Sequence, residues 1–151
     1  RLPAAVAARA RSAETARGAP ECLDRRYLAG GTITEADVRL WPTLVRFDAV
    51  YHGHFKCNRN KLTEMPVLWA YARDLFRTPG FGDTIDFEQT KQHYYRVHTS
   101  LNPSGIVPAG PDESGWLTPH HREELGGRPF GDGRRQVRRH PWSRVAGGPG
   151  R

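Results

Sequence analysis

The segment Thr34–Cys57, TEADVRLWPTLVRFDAVYHGHFKC, constrains this chain more than any other stretch. It opens as a helix start. The Thr34 hydroxyl can accept a bond from the Asp37 N–H, and the Asp37 carboxylate can reach back to the cap, an acidic form of the capping box. Ile33 before the cap and Val38 at the fourth helical position can close a hydrophobic staple. Val38, Trp41, Val45, Phe47 and Val50 then recur at helical spacing, with Leu40 and Leu44 alongside, which predicts a helix with a wide buried face. The helix is expected to run to about Tyr51 and break at Gly53. Pro42 lies inside the pattern, where it removes a backbone bond at a cost of roughly 3 kcal/mol, so tertiary packing must hold the helix.

Two further amphipathic helices follow. Pro66 suits a first helical turn, and Val67, Leu68, Tyr71, Leu75 and Phe76 supply a stripe that Thr78-Pro79-Gly80 ends. Asp86 caps a third helix carrying Phe87, Thr90, Tyr94 and Val97 on one side, with His93 and Tyr95 beside them. Asn102–Pro111, NPSGIVPAGP, is too rich in Pro and Gly for helix or central strand and must run extended over the surface or across a cleft. The fold class read from this pattern is all-α.

The organisation follows from the same pattern. Residues 1–24 show no apolar stripe, residues 25–111 form the helical domain, and residues 112–151 are expected to be an irregular segment and a basic tail. The chain starts at Arg1 and its one Met is Met65, which reads as a fragment of a longer protein. The net charge of +7 would suit a nucleic-acid partner only if it sat on the folded part. It does not: residues 34–118 hold 9 basic and 10 acidic side chains, and the excess lies in the two ends. Neither nucleic acid nor membrane is expected as a partner, since no apolar run is long enough to span a bilayer. Two cysteines, Cys22 and Cys57, are too few for a disulfide framework, which points to a reducing, cytoplasmic compartment.

The residues that could carry chemistry cluster at the end of the first helix. His52, His54 and Cys57 place three soft ligands within six residues, but no second ligand pair stands at finger-like spacing and no HExxH is present, so no metal is expected. Cys57 beside Lys56 and His54 invites a nucleophile reading, against which stands the commoner role of a small buried hydrophobe. Lys56, Arg59 and Lys61 could meet a phosphate but read more simply as a solvated loop. Tyr51 and Tyr94 read on their own as core tyrosines with one hydrogen bond each.

TITEADVRLWPTLVRFDAVYHGHFKCNRNKL resembles the helical domain of the glutathionyl-hydroquinone reductases, the xi class of the glutathione transferase family. LVRFDxVYxxHFKCxxxxL is the most particular part, and the similarity continues through LWAYARDLFRTPG, HYYRVHTSLNPSGIVPAGP and PHHREELGGRPF, covering roughly Arg25 to Phe130. The resemblance implies that Tyr51 and Tyr94 line the pocket for a hydroquinone-type aromatic substrate, their hydroxyls meeting those of the substrate. Asn102, Ser104 and Gly105 would shape its rim. It also implies glutathione as co-substrate of the full-length protein. There a catalytic cysteine in a Cys-Pro-Trp-Ala motif of a thioredoxin-like domain attacks the glutathionyl sulfur and releases the hydroquinone, and a second glutathione resolves the mixed disulfide. That motif is absent here, so neither cysteine inherits the role and no catalytic residue is assigned. The chain is expected to lack the thioredoxin-like domain, to be inactive alone, and to form a homodimer only as part of the full-length protein. The competing reading is a non-catalytic helical interaction module of the same fold.

Overall fold

The computed structural model describes residues 25–132. The readings made for residues 1–24 and for the tail from residue 133 lie outside them. The described residues are helical and contain no strand. Three α-helices of equal length carry the core: α1 (Glu35–Val45), α2 (Pro66–Phe76) and α3 (Phe87–Val97). Short 3-10 turns at Leu62–Glu64, Gly82–Thr84, Ser114–Leu117 and Arg122–Leu125 join or follow them.

Helix α1 begins where the capping residues place it. The Thr34 N–H donates to Asp37 Oδ2 at 2.8 Å, the reach-back arm of the box, and the Thr34 hydroxyl donates to the same oxygen at 2.8 Å. Asp37 also accepts from the Leu28 N–H at 3.0 Å and from the Tyr71 hydroxyl at 2.7 Å. A capping residue is thereby a fully buried tie between the incoming chain, α1 and α2. This displaces the apolar stripe. Val38 is 51% exposed, and the buried face runs through Asp37, Trp41, Leu44 and Val45.

The helix does not continue regularly to Tyr51. After Arg46 the chain widens into a π turn, Phe47–Tyr51, in which the Tyr51 N–H reaches the Arg46 carbonyl at 3.2 Å and the His52 N–H reaches that of Phe47 at 2.8 Å. One extra residue per turn shifts the faces relative to α1. Ala49 and Val50 stay buried while Tyr51 comes to the half-buried rim. Asp48, in the same turn, accepts the Leu62 and Thr63 N–H groups at 2.6 and 3.3 Å and so anchors the approach to α2.

In α2 the buried residues are Tyr71, Ala72, Asp74 and Leu75, while Val67 is 47% exposed. In α3 they are Lys91 and Tyr95, not Val97, which is 60% exposed. The Lys91 stem is covered because its ammonium reaches the Ala109 carbonyl at 3.2 Å, drawing the extended 102–111 segment over the helix. Asp86 caps α3 by accepting the Gln89 N–H at 2.8 Å.

Packing extends past Pro111, where the sequence analysis ends the helical domain. Trp116 is 5% exposed and stacks on Phe76 at 4.9 Å, with Trp69 and Trp41 edge-on at 4.6 and 6.2 Å. Arg122 is buried and donates to the carbonyls of Arg25 and Arg26 at 2.7 and 2.6 Å, its guanidinium lying 5.5 Å from the Tyr71 ring centre. Residues 128 and 129 then pair with the backbone of 31 and 33: Arg128 N–H to Gly31 O at 2.8 Å, Ile33 N–H to Pro129 O at 2.9 Å. The polar composition of 112–130 hides a segment tied down by Trp116, by Arg122, by Arg73 donating to the Thr118 hydroxyl and the Pro119 carbonyl, and by backbone bonds.

Candidate aromatic binding site

Tyr51 and Tyr94 come from different elements and meet in one cluster of rings. Tyr51, at the end of the π turn, lies parallel to Phe47 with centroids 6.3 Å apart and meets Phe55 edge-on at 5.3 Å. Phe55 in turn meets Tyr94 edge-on at 5.9 Å. Tyr94 packs against His98, one turn on along α3, at 5.3 Å, and against His93 at 5.5 Å. Phe55 therefore bridges the two tyrosines, and both are half-buried, with part of each side chain open.

The local chain geometry explains the bridge. Gly53 lies against α3 so closely that a Cβ there would sit 2.7 Å from the Tyr95 hydroxyl oxygen. A side chain at residue 53 would press on the Tyr95 hydroxyl, so the 52–55 turn that carries Phe55 to Tyr94 sits closest to α3 with glycine there. The turn is closed by the Cys57 N–H bonding the Tyr51 carbonyl at 3.0 Å, and by Lys56, at φ 61°, turning its ammonium back onto the Gly53 carbonyl at 2.9 Å.

The electrostatics favour neutral groups. Burial, with Tyr94 adding to it, pushes the Tyr51 phenol above its ordinary value, so it remains a hydroxyl that can donate or accept. Burial also pushes the Cys57 thiol up, the opposite of what a thiolate nucleophile needs, and its Sγ faces the Phe55 carbonyl at 3.9 Å. His54 is 4% exposed and held below its ordinary value, first by burial and then by His98 and Lys56. Among the described residues, no group of three or more His, Cys, Asp or Glu side chains is arranged to hold a metal ion. The basic residues Lys56, Arg59 and Lys61 are exposed, as a solvated loop should be. Asn102 donates to the Tyr95 and Ile106 carbonyls at 2.8 and 2.9 Å, and Ser104 to Asn102 at 3.0 Å, so these side chains shape the loop after α3.

Sequence reasoning did not pick out Phe55 and His98 as parts of the wall. His98 carried a usable signal, since it stands one turn beyond Tyr94 on the same helical face. Phe55 carried none, because its contact with α3 is made from a turn outside any helical pattern. Chemically the arrangement is a surface of aromatic edges and faces with phenolic hydroxyls. It can stack on a flat aromatic ligand and hydrogen-bond to its oxygens. It offers no activated nucleophile.

Comparison with known proteins agrees with this architecture. Residues 5–74 match the family model described as "Glutathione S-transferase, C-terminal domain". The glutathionyl-hydroquinone reductase PcpF of Sphingobium chlorophenolicum is 51% identical over 87 residues, 58% of this chain and 28% of that protein. The glutathionyl-hydroquinone reductase YqjG of Escherichia coli K-12 is 46% identical over 86 residues, 57% of this chain and 26% of that protein. Its glutathione-bound structure superposes with a TM-score of 0.64 at 42% identity, over 68% of this chain and 33% of that one. The xi-class glutathione transferase of Natrialba magadii superposes with a TM-score of 0.71 at 43% identity, over 81% of this chain and 36% of that one. The chain thus spans about a quarter of the length of the curated relatives it matches. The capped helix, the buried Asp37 and the helical core are thus those of a chain similar to the C-terminal helical domain of glutathione transferases, with relatives and structural neighbours of the xi-class, glutathionyl-hydroquinone reductase type.

Proposed function

We propose that this domain supplies the aromatic pocket of a glutathione-dependent reductase of glutathionyl-hydroquinones, with Tyr51 and Tyr94 binding the hydroquinone. The observation that carries the reading is the convergence of the two tyrosines, from the π turn and from α3, on the single ring of Phe55. Two phenolic hydroxyls can pair with the hydroxyls of a hydroquinone, and the neighbouring rings can pack on its faces. The domain then orients the leaving hydroquinone, while a thioredoxin-like domain elsewhere in the full-length protein provides the catalytic thiolate and the glutathione site. Full-length protein would act in the cytoplasm as a homodimer. The raised Cys57 thiol supports this division of labour, since it is ill suited to attack a sulfur at neutral pH.

The test is calorimetric titration of the 151-residue chain with naphthalene-1,4-diol under argon. Tyr51→Phe and Tyr94→Phe should each weaken binding about five- to tenfold, the worth of one hydrogen bond to a neutral partner. The chain by itself should release no hydroquinone from a glutathionyl adduct. Binding untouched in the double variant, or turnover that disappears with Cys57→Ser, would sink the reading.

A further inference from the structure

His54 is the one histidine of the cluster that is almost wholly enclosed, at 4% exposure, and its Nε2 is buried with no hydrogen-bond partner among the described residues. Its ring is packed by Tyr95 at 4.8 Å, Phe55 at 4.9 Å, His98 at 5.5 Å and Tyr94 at 6.4 Å. It therefore packs against both Phe55 and Tyr94, the two rings that continue the series of contacts from Tyr51. A buried imidazole with an idle nitrogen is costly, and a charged one in the same place costs more. The titratable and charged groups that face it are Lys56 from its own turn and Tyr94, Tyr95 and His98 from α3, with His93 6.0 Å beyond His98. Lys56 and His98 both oppose a positive charge at His54, and among the described residues no carboxylate acts on it.

We propose that His54 is a positioning residue: its neutral ring holds Phe55 and Tyr94 in register with Tyr51, and its protonation releases them, so that the pocket loses aromatic ligands as the pH falls. This rests on the aromatic-pocket reading above and adds to it a residue and a pH dependence. Because burial, and after it His98 and Lys56, hold the His54 value below the ordinary 6.5, the neutral form persists further into acid than that of a free imidazole. The unfolded chain binds the proton more readily than the folded one, so the cost appears below the ordinary imidazole range and grows with further acid.

Two readouts on the 151-residue chain test it. In the first, aromatic NMR resonances of Phe55 and Tyr94 are followed from about pH 7.5 to about pH 5, without ligand, alongside the His54 ring carbons. Both rings should shift with the His54 midpoint. The shift should vanish in His54→Phe, which keeps a ring but cannot titrate, and persist in His98→Gln. In the second, binding of naphthalene-1,4-diol should weaken up to about tenfold per pH unit below that midpoint, the limit for one coupled proton, and the acid limb should flatten in His54→Phe. A ring shift that follows His98, surviving in His54→Phe and lost in His98→Gln, overturns the proposal. Phe55 and Tyr94 resonances that ignore the His54 titration overturn it too. If the diol fails to bind at any pH while the rings still follow His54, the pocket reading falls and the positioning role stands.

Discussion

The Tyr71 hydroxyl donates to the Asp37 carboxylate across 2.7 Å in the wholly buried seam between α1 and α2. The contact reverses the usual direction of influence for a helix cap. A residue that begins α1 is also the acceptor on which the middle of α2 closes, so helix initiation and helix packing are one event here. Burial alone would raise the Asp37 carboxyl. The bonds from Leu28, Tyr71 and Thr34 outweigh it and hold the group below its ordinary 3.8.

Tyr71→Phe should therefore cost about 1.5–3 kcal/mol, the value of a hydrogen bond to a charged group, and Asp37→Ala at least as much, since it strands several donors. The pH dependence has a fixed sign. A depressed carboxyl contributes stability that is fully present above the unfolded value of 3.8 and is lost as pH falls through the lower folded value. Urea unfolding followed from neutral pH into acid should show this loss in the wild type and a flatter acid limb in Asp37→Asn. An equally steep limb in that variant would assign acid unfolding to groups other than Asp37.

The part of this fold that the sequence makes legible is the part governed by local rules. The Thr34 cap, the Asp86 cap and Pro66 in the first turn of α2 each follow from one residue's chemistry, and each starts a helix where expected. What is illegible comes from distant partners. The π turn at Phe47–Tyr51 has no propensity signal, and the burial of Asp37, Asp74 and Lys91 depends on Tyr71, Arg26 and the Ala109 carbonyl, far along the chain. Of the site, the two tyrosines were reachable only through family resemblance, because periodicity assigns a tyrosine to the core with equal ease. The roles of Phe55 and His54 needed coordinates.

Trp116 tests where the domain ends. It lies in a segment without helical periodicity, yet it contacts aromatic rings of α1 and α2 together. Trp116→Ala should cost about 3–5 kcal/mol, the range for removing a large buried aromatic. A chain shortened to end at Pro111 should lose cooperative thermal unfolding in calorimetry. If the shortened chain melts as sharply as the whole one, the C-terminal segment is an appendage and the core closes without it.

Gly127 tests the backbone pairing that returns this segment to the start of the described chain. Its φ is +79°, a conformation that side chains disfavour, and an added Cβ would meet the carbonyl oxygen of Gly31 and lie 2.7 Å from its Cα. Because the obstacle is backbone, it cannot turn aside. Gly127→Ala should destabilise by about 1–3 kcal/mol and raise hydrogen exchange at the Ile33 and Arg128 amides. Gly30→Ala is the internal comparison, since its φ is +143° but nothing lies within 4 Å of an added Cβ, so only the backbone penalty applies. Equal effects at the two glycines would show that conformation, and not the close approach of residues 31 and 127, sets the cost.

Cys57 separates a packed thiol from a reactive one. It is half-buried behind Phe55, and burial pushes its thiol above the ordinary 9.0. In a Cys22→Ser background, alkylation by iodoacetamide near neutral pH should be slower than that of a free cysteine, and its rate should keep rising beyond the pH where a free thiol has levelled off. Cys57→Ser should leave binding of naphthalene-1,4-diol unchanged, because the thiol lies outside the Tyr51–Phe55–Tyr94 series of ring contacts. Rapid alkylation that levels off below neutral pH would require a thiolate stabilised by Lys56 or His54. In the structure the Lys56 ammonium is committed to the Gly53 carbonyl and the His54 ring is neutral and buried among aromatics, so neither group is free to provide it.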